Sequence, residues 1–391
     1  MEMLIKNVNI IKSDGIIKGS LVIEDGKIKD ITTGTADEKK FQNIIDGNGK
    51  YLSPGFIDVH NHGNYGKDAM EGTYEALHTM ATFHIKNGVT GFLATTMTDT
   101  NEATLKAIKN AVAYIKENSE KYENKSQVLG IHMEGPYFSM LKKGAQPAEG
   151  IKEPLVQEIE EYLKESQGKL KLLALAPEVK GAIEAIKYLK AKGVTVSLGH
   201  SNGTYEETMK GIEGGATEAT HLYNGMRSFN QREPGIIGAV LTDSRVSCEL
   251  ICDGIHVHPV AMKMAYMLKG EDKIILISDA MMATGLTDGW YTLGIQNVLV
   301  ENGVARLKDG TLAGSTLTLN KAVKNMVNKV GVPLYQAVKM ASLNPAISIK
   351  ESNRKGSIEK GKDADLIIFD DNIEIEKAFI AGRLVYENIR L

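Results

Sequence analysis

Five stretches of this chain share one pattern, an apolar run that stops on a residue able to bind a metal: GFIDVHNHG, QVLGIHMEGP, GVTVSLGHS, ATEATHLYN and KIILISDAM. The stops are His60 and His62, Glu134, His200, His221 and Asp279, spread over more than half the sequence. A closed barrel of parallel strands gathers its strand ends at one face, and active sites lie at the carboxyl face. The pattern therefore predicts that remote segments converge on one cation and one neighbouring acid.

The periodicity agrees. Strands are expected at 55–60, 89–96, 127–133, 171–176, 193–199, 217–221, 246–252 and 273–278. Helical stretches follow most of them, among them YEALHTMATFHIKNG, NEATLKAIKNAVAYIKE, EAIKYLKAKG, YEETMKGIEGG and VAMKMAYMLKG. Alternation of strand and helix implies a parallel sheet, and eight such units imply an α/β fold of the (β/α)8 TIM-like barrel type. The helix after the eighth strand is expected near residue 318, behind a β-rich excursion, WYTLGIQNVLVENGVARLKDGTLAGS, over the barrel mouth.

The ends of the chain read differently. The first 50 or so residues alternate apolar and polar and turn at Asp14-Gly15, Asp25-Gly26, Asp46-Gly47 and Asn48-Gly49, dipeptides that mark hairpins. Residues 355–391 repeat that texture, and neither end has an amphipathic helix. Two small sheets are unstable alone. Residues 1–54 and 355–391 are therefore expected to join as a small β-sandwich domain beside a catalytic barrel at 55–354.

Composition narrows the partners. With 42% hydrophobic residues the chain can fill a large core, and its net charge of −3 offers no basic field for nucleic acid or anionic membrane. Cys248 and Cys252 fall on one face of a single strand, too far apart for a comfortable disulfide, and are expected as buried free thiols. MEMLIKNVNIIKSDG lacks the marks of a leader, and no apolar stretch is long enough for a bilayer, so a cytoplasmic location is expected.

Chemistry follows from residue type. Positions i and i+2 of a strand face the same side, so His60 and His62 can reach one ion, and imidazole suits zinc, iron and related divalent cations. Glu134 at a barrel mouth needs a positive partner. His132 shares its strand face, as an extra site residue or a core histidine. Asp279 either caps a turn or takes a proton from a water that a cation has acidified, then delivers it to a leaving amine. His78 and His84 fall inside an outer helix and His258 at the start of another, which removes them from the ligand set.

On these residues, and on GIHMEGPYF, KKGAQ, THLYNGM, REPGIIG, CDGIHV, LAGS and KGSIEKGKDADLIIFD, the chain resembles the amidohydrolase superfamily, and within it the N-acetylglucosamine-6-phosphate deacetylase family. The resemblance implies deacetylation of a phosphorylated amino sugar. Glu134, His200 and His221 would hold the principal metal, and Asp279 would be the acid and base. Members that keep both His60 and His62 bind two ions, so one or two are implied, zinc first, with iron, cobalt or manganese as substitutes. Substrate binding would fall to Ala145, Gln146, Asn224, Gly225, Arg232, Asp253, Gly254, Ile255, His256, Leu312, Ala313 and Gly314. A homodimer is implied, with Arg232 completing the partner's phosphate pocket. Some relatives place a histidine where Gln146 stands; glutamine donates a hydrogen bond but carries no charge.

Other readings stay open: a cyclic-amide or N-acyl amino acid hydrolase, or a non-catalytic barrel used as a binding module. The cyclic-amide enzymes carry a carboxylated lysine at the fourth strand end, where this chain has Pro177 and Glu178.

Overall fold

The computed structural model describes residues 2–33, 38–119, 121 and 123–388. Eight parallel strands lie in chain order around one sheet. They are β1 (Phe56–Asp58), β2 (Val89–Thr96), β3 (Gln127–Glu134), β4 (Leu170–Leu175), β5 (Thr195–Leu198), β6 (Glu218–Ala219), β7 (Ser247–Ile251) and β8 (Ile274–Ile277). Every expected strand is present. The sixth is shorter than its apolar run because the chain leaves the ladder before His221, whose φ is 30°. Closure runs through β1 and β8: Asp279 N–H donates to His60 O at 2.9 Å and His62 N–H to Ala280 O at 2.8 Å.

The helices follow their strands one for one: α1 (Tyr74–Lys86), α2 (Asn101–Glu117), α3 (Val156–Glu165), α4 (Ala182–Ala191), α5 (Tyr205–Gly214), α6 (Gly235–Thr242), α7 (Pro259–Lys269) and α8 (Leu319–Asn325). Threonine caps start three of them. Thr73, Thr100 and Thr204 accept from the backbone N–H of the third helical residue, and Glu207 completes a capping box with Thr204. Strands covered on both sides read as unbroken apolar runs; all eight residues of β2 are buried. Cys248 and Cys252 are buried and unpaired, as expected.

The terminal segments form one further sheet. Glu2–Lys12, Gly15–Glu24, Lys27–Thr32, Asn43–Asp46 and Tyr51–Pro54 join Leu366–Phe369, Ile375–Ile380 and Arg383–Glu387, through antiparallel pairing of Tyr51–Pro54 with Leu366–Phe369. The first two turns are hairpins. The turns at Asp46-Gly47 and Asn48-Gly49 are not: the strands on either side both run parallel to Glu2–Lys12. There Asp46 Oδ1 accepts from Asn48 N–H at 2.8 Å, which folds the chain locally without an antiparallel return. Leu366 and Ile368 enter a separate apolar core with Ile5, Ile10, Leu21 and Phe379, whereas Ile367 and Phe369 join the barrel core. One short strand thus seals both.

The excursion after β8 is a three-stranded antiparallel sheet, Gly289–Leu293, Gln296–Glu301 and Val304–Arg306. Leu293, Val298 and Val300 pack on Met97, just past β2, and on Met281, just past β8. It stands over the carboxyl ends of the strands.

Beside the barrel seam, His84 of α1 is buried with Nε2 3.0 Å from Asn61 Oδ1, and burial holds the ring neutral down to a pKa of about 3. The unfolded chain takes that proton near 6.5. Stability tied to burying the neutral ring is therefore whole above pH 6.5 and drains as pH falls towards 3. Urea unfolding in stepwise more acidic buffer should show falling stability, with a shallower slope in His84→Gln; an unchanged slope would count against the assignment.

Candidate metal centre

The convergence expected from the strand ends is present. Glu134, at the end of β3, is the hub: Oε1 lies 3.1 Å from His200 Nε2, 3.0 Å from His221 Nε2 and 3.5 Å from His60 Nε2, and Oε2 lies 3.2 Å from His62 Nε2. Asp279 Oδ1 is 3.5 Å from His60 Nε2 and 3.4 Å from His62 Nε2. All six residues are buried. His200, His221 and Asp279 have φ of 46°, 30° and 48°, a left-handed conformation that non-glycine residues rarely adopt. Each strand breaks its ladder there and turns a side chain inward. Such strain persists only where the surroundings enforce it, and it clusters at functional sites.

The donors fit a cation. His200 Nδ1 faces Lys142 O at 2.9 Å, so it carries the hydrogen and leaves Nε2 a lone pair. His60 Nδ1 faces Glu249 Oε2 at 2.9 Å, with the same result. His200 Nε2 and His221 Nε2 stand 3.1 Å apart and aim at the same oxygen. His60 Nε2 has no hydrogen-bond partner among the described residues. Lone pairs and carboxylates directed at one volume repel unless positive charge lies between them. Glu134–His200–His221 and His60–His62–Asp279 each place their ligand atoms close enough together for one ion.

The titration of the cluster states the same demand. Burial works against charge on His60, yet Glu249, Glu134 and Asp279 outweigh it and raise its pKa to about 9. Burial likewise opposes charge on His62 and His221, but Asp279 and Glu134 raise the first well above its ordinary value, and Glu134 raises the second. Burial would push both carboxyls up; the surrounding histidines instead hold Glu134 well below the usual range and Asp279 below it. Without a metal, protons on imidazole must supply the positive charge.

A cavity of about 200 Å³ opens above the cluster. His62, Glu134, Ala145, Gln146, His200, His221, Asn224, Gly225, His256, Asp279, Leu312 and Gly314 line it, so most of the expected site residues meet there. Met97, Gly144, Leu293 and Thr311 complete the wall and were not expected. Asp253 stands behind it, with Oδ2 2.7 Å from His256 Nδ1, which leaves Nε2 as the free ring nitrogen. Gly254, Ile255, Ala313 and Arg232 are outside the wall: Ile255 and Arg232 are exposed, and Ala313 is buried in the core of the excursion. Gln146 is fixed at both ends, donating to Glu134 Oε2 at 2.6 Å and accepting from Thr98 N–H at 2.9 Å.

Sequence reasoning did not single out Glu249. It is wholly buried in β7, and Oε2 accepts from His221 N–H at 3.0 Å as well as facing His60. An acid inside the apolar run VSCELICDG was the available signal. Beside it, burial and then Glu249 push the Glu218 carboxyl well above its ordinary range, so Glu218 keeps its proton. His132 is buried edge-on to His60, and neither ring nitrogen meets a partner among the described residues. His258 caps α7, accepting from Val260 N–H at 3.2 Å.

The Amidohydrolase family profile matches residues 51–385. The chain belongs to the amidohydrolase family. This amidohydrolase is 40% identical over 385 residues to N-acetylglucosamine-6-phosphate deacetylase of Lysinibacillus sphaericus, with 98% of each chain covered. It is also 40% identical over 341 residues to N-acetylgalactosamine-6-phosphate deacetylase of Escherichia coli O157:H7, covering 87% of this chain and 89% of that one. Its fold matches a variant N-acetyl-D-glucosamine-6-phosphate deacetylase from Mycobacterium smegmatis, solved with N-acetyl-D-glucosamine 6-phosphate, at a TM-score of 0.91 and 31% identity over 98% of this chain and 99% of that one. The cyclic-amide pattern is absent where it was sought. Glu178, after β4, accepts from Ser201 Oγ at 2.7 Å and Asn202 N–H at 2.6 Å, a tie to the neighbouring loop.

Zinc added to chelator-stripped protein should raise Tm, because ligands that bind only the folded state stabilise it. The gain should shrink in buffer at about pH 5, where protons compete for imidazole. Gly225→Ala should blunt it too: φ is +59° there, and an added Cβ would sit 3.0 Å from His200 Nδ1. A full zinc shift in that variant would show that His200 does not hold the ion.

Proposed function

We propose that this amidohydrolase hydrolyses the acetamide of N-acetyl-D-glucosamine 6-phosphate, giving D-glucosamine 6-phosphate and acetate. The observation that carries the reading is an ionised Asp279 beside a cation-ready cluster on the floor of an open cavity, in a chain 40% identical to such a deacetylase. Residues 55–354 would form the catalytic barrel, and 1–54 with 355–391 the supporting β domain.

Glu134, His200 and His221 would hold the principal divalent ion, and His60 and His62 with Asp279 alongside would hold a second. Zinc suits the nitrogen and carboxylate donors best, and iron, cobalt or manganese fit the same set. When bound, such a cation polarises a carbonyl and acidifies water. Asp279 then takes the proton of the attacking water as its oxygen adds to the acetyl carbon. As the C–N bond breaks, Asp279 returns that proton to the departing nitrogen. The histidines and Glu134 keep Asp279 fixed and ionised for the first transfer.

Asn224, Gly225, His256 and the backbone of 312–314 would hold the sugar, with Ala145 and Gln146 at the acetyl end. The phosphate needs a cation that the cavity wall lacks. Arg232 is exposed on the loop before α6, and its guanidinium suits phosphate. On α7, Val260, Met264, Met267 and Leu268 present an exposed apolar stripe. A second copy of the chain covering that stripe would complete the partner's phosphate pocket with Arg232. Among the described residues no helix is long and apolar enough to cross a membrane, and a cytoplasmic setting suits a phosphorylated metabolite. The epimeric substrate is the second reading, favoured by the galactosamine relative.

Acetate release from both N-acetylhexosamine phosphates tests the assignment; turnover of neither would end it. Asp279→Asn should bind metal and substrate but lose on the order of 10²-fold or more in kcat, and near-normal kcat would remove Asp279 from the chemistry. Arg232→Ala should raise KM for the phosphorylated sugar and leave an unphosphorylated analogue nearly unchanged. Equal effects on both would remove Arg232 from the phosphate pocket.

A further inference from the structure

Besides Glu134 at its centre, the buried acid Glu249 reaches both halves of the metal cluster from behind. Its Oε2 faces the Nδ1 of His60 at 2.9 Å and accepts from the backbone N–H of His221 at 3.0 Å. His60 belongs to the group with His62 and Asp279; His221 belongs to the group with Glu134 and His200. Burying a carboxylate is costly. The chain has a cheaper device for fixing an imidazole, since the Lys142 carbonyl does it for His200. A full negative charge behind His60 therefore does more than hold the ring in place. It keeps the hydrogen on Nδ1, turns the Nε2 lone pair towards Asp279 and Glu134, and makes that nitrogen a stronger base, as carboxylates behind metal-bound histidines do.

We propose that Glu249 is a positioning residue that makes His60 competent to bind the second cation and ties its geometry to the backbone of His221. Glu218 supports it from behind. Each carboxyl has one oxygen without a hydrogen-bond partner among the described residues. Ser348 Oγ donates to the far oxygen of Glu218. The line Ser348, Glu218, Glu249, His60 runs from the end of the helix Leu343–Ser348 to the metal cluster.

The inference rests on the metal reading above, and the test separates the two. Zinc affinity and stoichiometry are measured by chelator competition on stripped protein. Wild type should bind two ions; Glu249→Gln, which keeps the shape and both acceptor contacts but loses the charge, should weaken one ion by about 10- to 100-fold and leave the other unchanged. Glu218→Gln, which can still donate to Glu249, should keep both affinities. Two ions bound with wild-type affinity in Glu249→Gln would overturn the proposal. So would equal weakening of both ions, or the same loss in Glu218→Gln, since either marks general damage to the core. If wild type binds no zinc, the metal reading itself fails, and with it this inference.

Discussion

A carboxylate buried among four imidazoles governs this molecule. Glu134 has lost its water, and burial alone would protonate it; the ring nitrogens around it reverse that preference. The arrangement is self-consistent only with positive charge at its centre, from protons or from a metal. Everything nearby serves that balance. Three residues sit in left-handed backbone to bring their side chains in, Lys142 O and Glu249 set which ring nitrogen carries hydrogen, and Gln146 takes up the remaining oxygen.

Much of this was legible in the residue order. The eight strands were visible because strands covered on both faces leave unbroken apolar runs, and their polar stops named the six central residues. The terminal sheet was visible as texture, but its connectivity was not. Asp46-Gly47 and Asn48-Gly49 look like hairpin turns, yet the strands they separate pair with a third strand, a choice made by long-range ladder bonds that no dipeptide encodes. Glu249 was hidden for a related reason. An acid within a strand declares itself only when the inward face of every neighbouring strand is known. Met97 and Leu293 read as ordinary core residues until the excursion is seen folded over the strand ends.

The cavity divides its labour between rigid and attached parts. Its floor is made of strand ends held by the barrel. Its rim comes from loops and from the three-stranded excursion, whose small core of Leu293, Val298 and Val300 rests on Met97 and Met281. The candidate ligands thus sit on the rigid framework, and the wall above them is built from the pieces added to it.

The seam between the first and eighth strands has a consequence of its own. The ring is joined there by bonds made at His60, His62, Asp279 and Ala280, so residues proposed to hold an ion also fasten the hoop. A cation held by side chains from both edges would act as a buckle across that seam. Loss of such an ion, or of one of these side chains, would then loosen the ring where its first and last strands meet.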